Sequence, residues 1–328
     1  MKNQYLGDVG DYGKYGLLRY LANMNIRIGI NWYLTADDGS NDGKFISYLD
    51  KEEDRRYDSE LFDELKKIVH SHDKNVNMLE SCELISQAKY YNSLLESKII
   101  QRDERERVRN LWHQNALKCL ADVELIFADP DNGIIGTKSI FDNEAEKYIT
   151  PKEIKDYYDR GQNVVYYCHK ARRTEEQWEK TKTVMLNYIP DAEIIVLTSH
   201  RGTQRSYIFV IHPKDFERYE RLLCDFLRLS WKDMFSREAV NGQNIEQNIE
   251  KVYMKRNVAP LKVPKKKTTE IGYINRNNQE NLGQTSEIGS LHGQYFYQMK
   301  CHYCGGIYKA NASDIFQRKC PRCQGGRP

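Results

Sequence analysis

Nowhere in its 328 residues does this chain carry an apolar run of the ~18 residues needed to cross a membrane. The opening MKNQYLGDVGDYGKYG also lacks the apolar stretch of an export signal. Membrane spanning and export are not indicated, and a cytoplasmic location is expected. A disulfide framework is missing as well. Of the eight cysteines, Cys82, Cys119, Cys168 and Cys224 stand singly, while the other four form two CxxC pairs. That usage suits a reducing compartment and a bound metal. The chain shows no internal repeat, and neither sign of charge dominates, the formal net charge being +3.

The small total hides an asymmetry. Residues 251–328 hold 14 Lys and Arg against 4 Asp and Glu, a surplus of +10, leaving 36 against 43, or −7, in residues 1–250. A basic tail attracts polyanions and supplies the sequence-independent part of nucleic-acid affinity. DNA or RNA is the expected partner, and a membrane is not.

With 40% hydrophobic residues, the chain is long enough for one sizeable core and a small appended module. Five β-branched or aromatic runs read as buried strands: Ile28–Leu34, Leu125–Asp129, Val164–Cys168, Ile194–Thr198 and Tyr207–His212. Between them, Glu104–Leu120 places Val108, Leu111, Trp112, Ala116 and Leu120 at helical spacing. Thr150-Pro151-Lys152-Glu153 and Thr174-Glu175-Glu176-Gln177 both fit a capping box. Alternating strands and helices imply an α/β fold with a mostly parallel sheet. The last two runs are separated only by SHRGTQRS, too short for a crossover helix, so they should pair antiparallel. A mostly parallel sheet ending in an antiparallel strand is the layout of a Rossmann-like, methyltransferase-type domain, expected here over residues 1–243. Polar sequence then reads as a basic flexible linker over 244–294.

The sharpest motif is Cys301-x-x-Cys304, fifteen intervening residues, then Cys320-x-x-Cys323. Two such turns complete a tetrahedral thiolate shell for structural Zn²⁺, giving a zinc ribbon over 295–328. Without the ion, so short a segment buries too little to fold. Four cysteines suffice, so His302 is read as a bystander. Lys309, Arg318, Lys319, Arg322 and Arg327, with Tyr303, Tyr308 and Phe316, are the cations and stacking faces of a nucleic-acid reader.

At the other end, Gly7, Gly10, Gly13 and Gly16 crowd a segment that also carries Asp8, Asp11 and Lys14 and leads into an apolar helix. Glycines there let backbone approach a ligand, and a lysine adds charge where anions gather. After the first strand, Thr35–Phe45 almost reads as a phosphate loop, but Asp38 stands where its first glycine is needed and Phe45 where its hydroxyl is needed. A P-loop is rejected. A loop after the first strand is still where an open α/β sheet binds its cofactor.

The Gly7, Asp11 and Lys14 spacing, the Gly-rich loop and the later strand-end Asp-Pro together resemble the bacterial large-subunit ribosomal RNA adenine-N6 methyltransferases of family J, over about residues 5–235. The opening GDVGDYGKYGLLR also resembles that of a widespread uncharacterised prokaryotic family. The methyltransferase resemblance implies S-adenosylmethionine bound by Asp11, Lys14 and the Tyr33–Gly43 loop, with Thr35, Asp37, Gly39 and Gly43 as contacts, and a catalytic Asp129.

That segment reads Asp129-Pro130-Asp131-Asn132. In place of the Pro-Tyr of amino-methyltransferases it has Asp131-Asn132, which removes the stacking ring and opens a second chemistry. Asp129 and Asp131 suit Mg²⁺ or Mn²⁺. His169 and His200 follow later strands as bases, and Arg172, Arg201 and Arg205 suit a phosphate. Cys168 is discarded as a nucleophile because neighbouring strand residues face opposite ways. Three functions follow: a nucleic-acid methyltransferase, a metal-dependent nuclease or phosphohydrolase in phage defence, or a non-catalytic nucleic-acid binder. Both enzymatic readings require Lys14, Asp129, His169 and His200 to meet at one sheet edge.

Overall fold

The computed structural model describes residues 1–39, 43, 45–71, 74–96, 100–136, 139–142, 144–240, 267–290, 293–302 and 304–326. The chain divides into two compact units, Met1–Glu250 and Lys251–Pro328. In the first, α1 (Val9–Asn23) leads to β1 (Ile28–Asn31), α2 (Ser59–His70), α3 (Val76–Ser81), β2 (Lys89–Tyr91) and α4 (Arg105–Cys119). Then come β3 (Leu125–Ala128), the short β4 (Gly133–Ile134) and β5 (Tyr148–Ile149), α5 (Pro151–Tyr158), β6 (Asn163–Cys168) and α6 (Glu175–Lys182). The unit finishes with β7 (Glu193–Ser199), β8 (Arg205–Ile211), α7 (Phe216–Phe226) and β9 (Phe235–Glu238).

Seven strands form one sheet in the order β2-β1-β3-β6-β8-β7-β9. Strands β2, β1, β3 and β6 run parallel, β8 is antiparallel to both its neighbours, and β9 is antiparallel to β7. Period-2 alternation sends successive side chains to opposite faces. Ile28, Ile30, Leu125, Phe127, Val165, Ile195 and Leu197 join one core with residues of α1, α2 and α7. Ile126, Ala128, Val164, Tyr166, Ile194 and Val196 join a second core with residues of α4, α5 and α6. Both capping boxes form, at Thr150 with Glu153 and at Thr174 with Gln177.

Three expectations change. The first strand ends at Asn31 rather than Leu34, and Tyr33, two residues on, leaves strand geometry at φ 45°. Two antiparallel strands are present, not one: β8 lies inside the sheet and β9 forms its edge. β9, with only Phe235 buried, had no alternation to announce it. Finally, part of the stretch read as linker is ordered. In the second unit, β10 (Gln279–Ile288) pairs with β11 (Tyr295–Cys301), which pairs with β12 (Ile307–Asn311), all antiparallel. This segment looked like linker because it buries amides instead of apolar groups: Asn275 Nδ2 donates to the carbonyls of Ile315 and Arg318, and Asn281 Nδ2 to that of Thr268. Residues 244–266 and 291–292 of the expected linker lie outside the described residues.

Candidate active site and metal centre

Parallel strands deliver their carboxyl ends to one edge, and β8, being antiparallel, begins there. A cleft of about 690 Å³ opens at that edge, a size typical of small-molecule sites. Its walls come from the start of α1, the segment after β1, Asp129–Asn132 after β3, His169–Arg172 after β6, and Thr203–Arg205 leading into β8.

The floor is a buried charge network. Asp8 caps α1, its Oδ1 accepting from the amides of Gly10 and Asp11, while its Oδ2 pairs with Arg205 at 2.7 Å. Lys14 lies one turn inside, 4% exposed, with Nζ 2.7 Å from Asp11 and 2.6 Å from Asp129. Asp11 also accepts from the Gly7 amide and the Tyr15 hydroxyl. Burial draws the Lys14 pKa down, but Asp11 and Asp129 outweigh it and the net shift is upward, so the ammonium stays charged. Burial and the neighbouring Asp11 raise the Asp8 pKa, against Arg205. The glycines have a different role from the one expected. A Cβ at Gly16 would come 2.2 Å from Trp231, and one at Gly13 3.1 Å from Met234, so this stripe seats α1 against its own fold. Only Gly10 of the helix stripe lines the cleft, with the Arg205 guanidinium where its side chain would be.

Above this floor stand groups that the network does not consume. The Asp131 side chain is 7% exposed, with Oδ1 2.5 Å from the main-chain nitrogen of Met1 and, among the described residues, no hydrogen-bond partner at Oδ2. Asn132 lies beside it, and Arg172 is exposed at the rim. His169 shares its strand face with Tyr167, whose hydroxyl lies 3.5 Å from Nδ1. Burial, then Arg173 and Arg205, lower the His169 pKa. Its imidazole is therefore neutral at pH 7 and able to accept a proton. Cys168 points the other way into the core, where burial lifts its thiol pKa to about 11.

The structure thus gathers Asp11, Lys14, Gly43, Asp129, Asp131, Asn132, His169, Arg172 and Arg205 in one cleft. Five expected site residues lie elsewhere. His200 and Arg201 line a separate pocket of about 370 Å³ with Asp54, Arg56, Tyr57 and Asp233. His200 Nε2 meets Ser236 Oγ at 2.6 Å, and Arg201 forks onto Asp54. The cause is topological: β8 sits between β6 and β7, so the end of β7 is two strand spacings, about 9.6 Å, from His169. Thr35 is buried with its hydroxyl on the Met1 carbonyl, and Asp37 accepts from the Gln4 amide. Gly39 is exposed and does not line the cleft. Asp38, paired with Lys2, faces the cleft where Asp37 was expected. Sequence reasoning also missed Tyr5, Phe45, Tyr167 and Tyr207 among the lining. Tyr167 was within reach, since it lies two residues before His169 on a strand; Phe45 was weighed only as a defect in a phosphate loop.

In the second unit, the sulfurs of Cys301, Cys304, Cys320 and Cys323 all lie within 4.8 Å of one another, an arrangement able to hold one metal ion such as zinc. The Cys301–Cys323 and Cys304–Cys320 separations are 3.6 and 3.5 Å, close to the ~3.8 Å edge of a tetrahedron with Zn–S bonds of about 2.3 Å. The Arg322 amide points at Cys320 Sγ and Gln279 Nε2 at Cys301 Sγ. Such donors orient thiolate ligands. His302 pairs with Glu280 at 2.9 Å, outside the group. Among the described residues, no second set of three or more His, Cys, Asp or Glu side chains converges in this way. Of the expected nucleic-acid contacts, Lys309 is held by Glu287 and Phe316 is 45% exposed with Arg276 over its ring. Tyr303 and Arg327 lie outside the described residues.

No protein-family model matches this chain, and no curated protein matches it.

Proposed function

We propose that this chain is an S-adenosylmethionine-dependent methyltransferase acting on nucleic acid, with a zinc-stabilised C-terminal module that adds affinity for the polyanion. The observation that carries this reading is the single cleft at the carboxyl edge of a mostly parallel sheet, where Asp129–Asn132, His169 and the start of α1 meet. An antiparallel strand within such a sheet supports the Rossmann-like layout. When bound, the cofactor supplies an electrophilic methyl group on a cationic sulfonium, and a carboxylate-rich cleft suits a cation.

The expected cofactor contacts fit in part. Gly43 and Asp11 line the cleft, but Thr35, Asp37 and Gly39 do not, and Lys14 is already held by two carboxylates. Lys14 is thus a positioning residue, fixing the backbone that presents Asp131 and Asn132. Asp131 accepts hydrogen bonds, Asn132 both donates and accepts, and His169 takes the proton released from the methylated atom. Arg172 and Arg205 provide positive charge for a phosphate. Of the four residues expected to meet at one sheet edge, Lys14, Asp129 and His169 do so and His200 does not. His200 had a role only in the metal-dependent alternative, whose Asp129 is also engaged by Lys14, so that alternative has less support.

The test is calorimetric titration of the full chain with S-adenosylmethionine. Saturable binding of the cofactor supports the proposal; no heat from the cofactor, alone or with oligonucleotide, overturns it.

A further inference from the structure

The Asp129–Asn132 segment offers edge-reading groups without a ring to stack a planar ligand against them. Phe45 fills that gap from another part of the chain. It is 63% exposed, and among the described residues of the first unit, of the exposed large hydrophobics Met24, Phe45, Leu94, Leu111 and Tyr188, it is the one that lines the cleft. Its backbone is held in place: the Val9 amide donates to its carbonyl at 3.0 Å. Two residues earlier, Gly43 adopts φ 80° so close to the chain below that a Cβ would lie 2.6 Å from Gln4 O and Tyr5 Cα. An anchored phenyl ring left in water within a polar cleft is unfavourable until a ligand covers it.

We infer that Phe45 is the stacking wall of this cleft, receiving the face of a planar nitrogen heterocycle whose edge meets Asp131 and Asn132. Stacking on a phenyl ring tolerates any base, whereas a carboxylate beside an amide discriminates by donors and acceptors on the edge. The heterocycle is either a base of the nucleic acid or the adenine of the cofactor. This inference rests on the functional reading above.

Phe45→Trp provides a reporter, because Trp32, Trp112, Trp178 and Trp231 are all buried, at 0, 6, 1 and 4% exposure. The full-length Phe45→Trp chain is titrated with a single-stranded oligonucleotide, with an abasic strand of the same length, and with S-adenosylmethionine, while calorimetry follows binding to the wild type. Quenching by the oligonucleotide but not the abasic strand identifies a substrate base, and quenching by S-adenosylmethionine identifies the cofactor ring. In either case, Phe45→Ala should weaken the quenching ligand about tenfold, the usual worth of one base–aromatic stack. Ligands that bind the wild type with unchanged affinity for Phe45→Ala and no quenching overturn the inference and leave the functional reading intact. Binding of neither ligand overturns both.

Discussion

Lys14 and Asp129, separated by 115 positions in sequence, meet in a 2.6 Å ion pair, with Asp11 on the other side of the same ammonium. One positive charge between two buried carboxylates ties the first helix to the end of the third strand. All three residues line the cleft.

Replacing Lys14 by Met should therefore destabilise the first unit strongly, by about 3–5 kcal/mol, because Asp11 and Asp129 would face each other with no cation between them. Urea unfolding measures the loss. Adding Asp129→Asn should recover part of it, since one of the opposed charges is gone. A double variant no more stable than Lys14→Met would mean that packing, not charge, accounts for the effect.

Much of this arrangement could be read from residues alone. The buried strands Val164–Cys168 and Ile194–Thr198 declared themselves by uninterrupted apolar runs, and each capping box by its hydroxyl and its Glu or Gln three residues on. Asp129, Asp131 and His169 could be placed at strand ends because a strand has only one carboxyl end. What the sequence concealed was strand order. Nothing local tells that β8 slips between β6 and β7, and that one fact removes His200 from the cleft. Equally hidden was a polar core: Asn275, Gln279 and Asn281 are at most 3% exposed, yet their pattern reads as linker because amides hydrogen-bonded to backbone leave no hydrophobic period.

Gly10→Ala tests how closely Arg205 presses on the helix. Its Cβ would lie 1.5 Å from Nη1, so the guanidinium must leave and its pair with Asp8 must break. A stability loss of about 1–3 kcal/mol is expected, in the range of overpacking. In the Gly10→Ala background, Arg205→Ala should then have little further effect on the unfolding midpoint. A full additive loss would mean that the pair survives.

The pH dependence follows from His169, whose folded pKa is lowered by burial and by Arg173 and Arg205. As pH falls through about 6.5, the unfolded chain takes up a proton that the folded ring resists. Stability is therefore highest above that pH and declines below it, until the folded ring is protonated as well. His113 shifts in the same direction, so the contribution of His169 is read as the difference between the wild type and His169→Asn. Denaturant midpoints should fall less steeply from pH 7 to pH 5 in the variant. Parallel curves would place His169 in a solvent-like environment.

Four cysteine sulfurs within 4.8 Å of one another lead to the prediction that the second unit depends on a metal. Among the described residues, its buried apolar cluster is Tyr297, Met299, Ala310 and Ile315, with Tyr273, Tyr308 and Ala312 packed against it, less than a module of this size needs without a staple. Purified under reducing conditions, the chain should carry one zinc per molecule by elemental analysis, and Co²⁺ should give the absorption of a tetrahedral thiolate site. Cys320→Ser should release the ion and unfold this unit, with loss of amide-exchange protection across β10, β11 and β12. The first unit, with its own two cores, should keep its unfolding midpoint. If instead the strands stay protected after chelation, the buried amides around Asn275 and Gln279 alone hold the sheet, and the cysteines would be dispensable for folding.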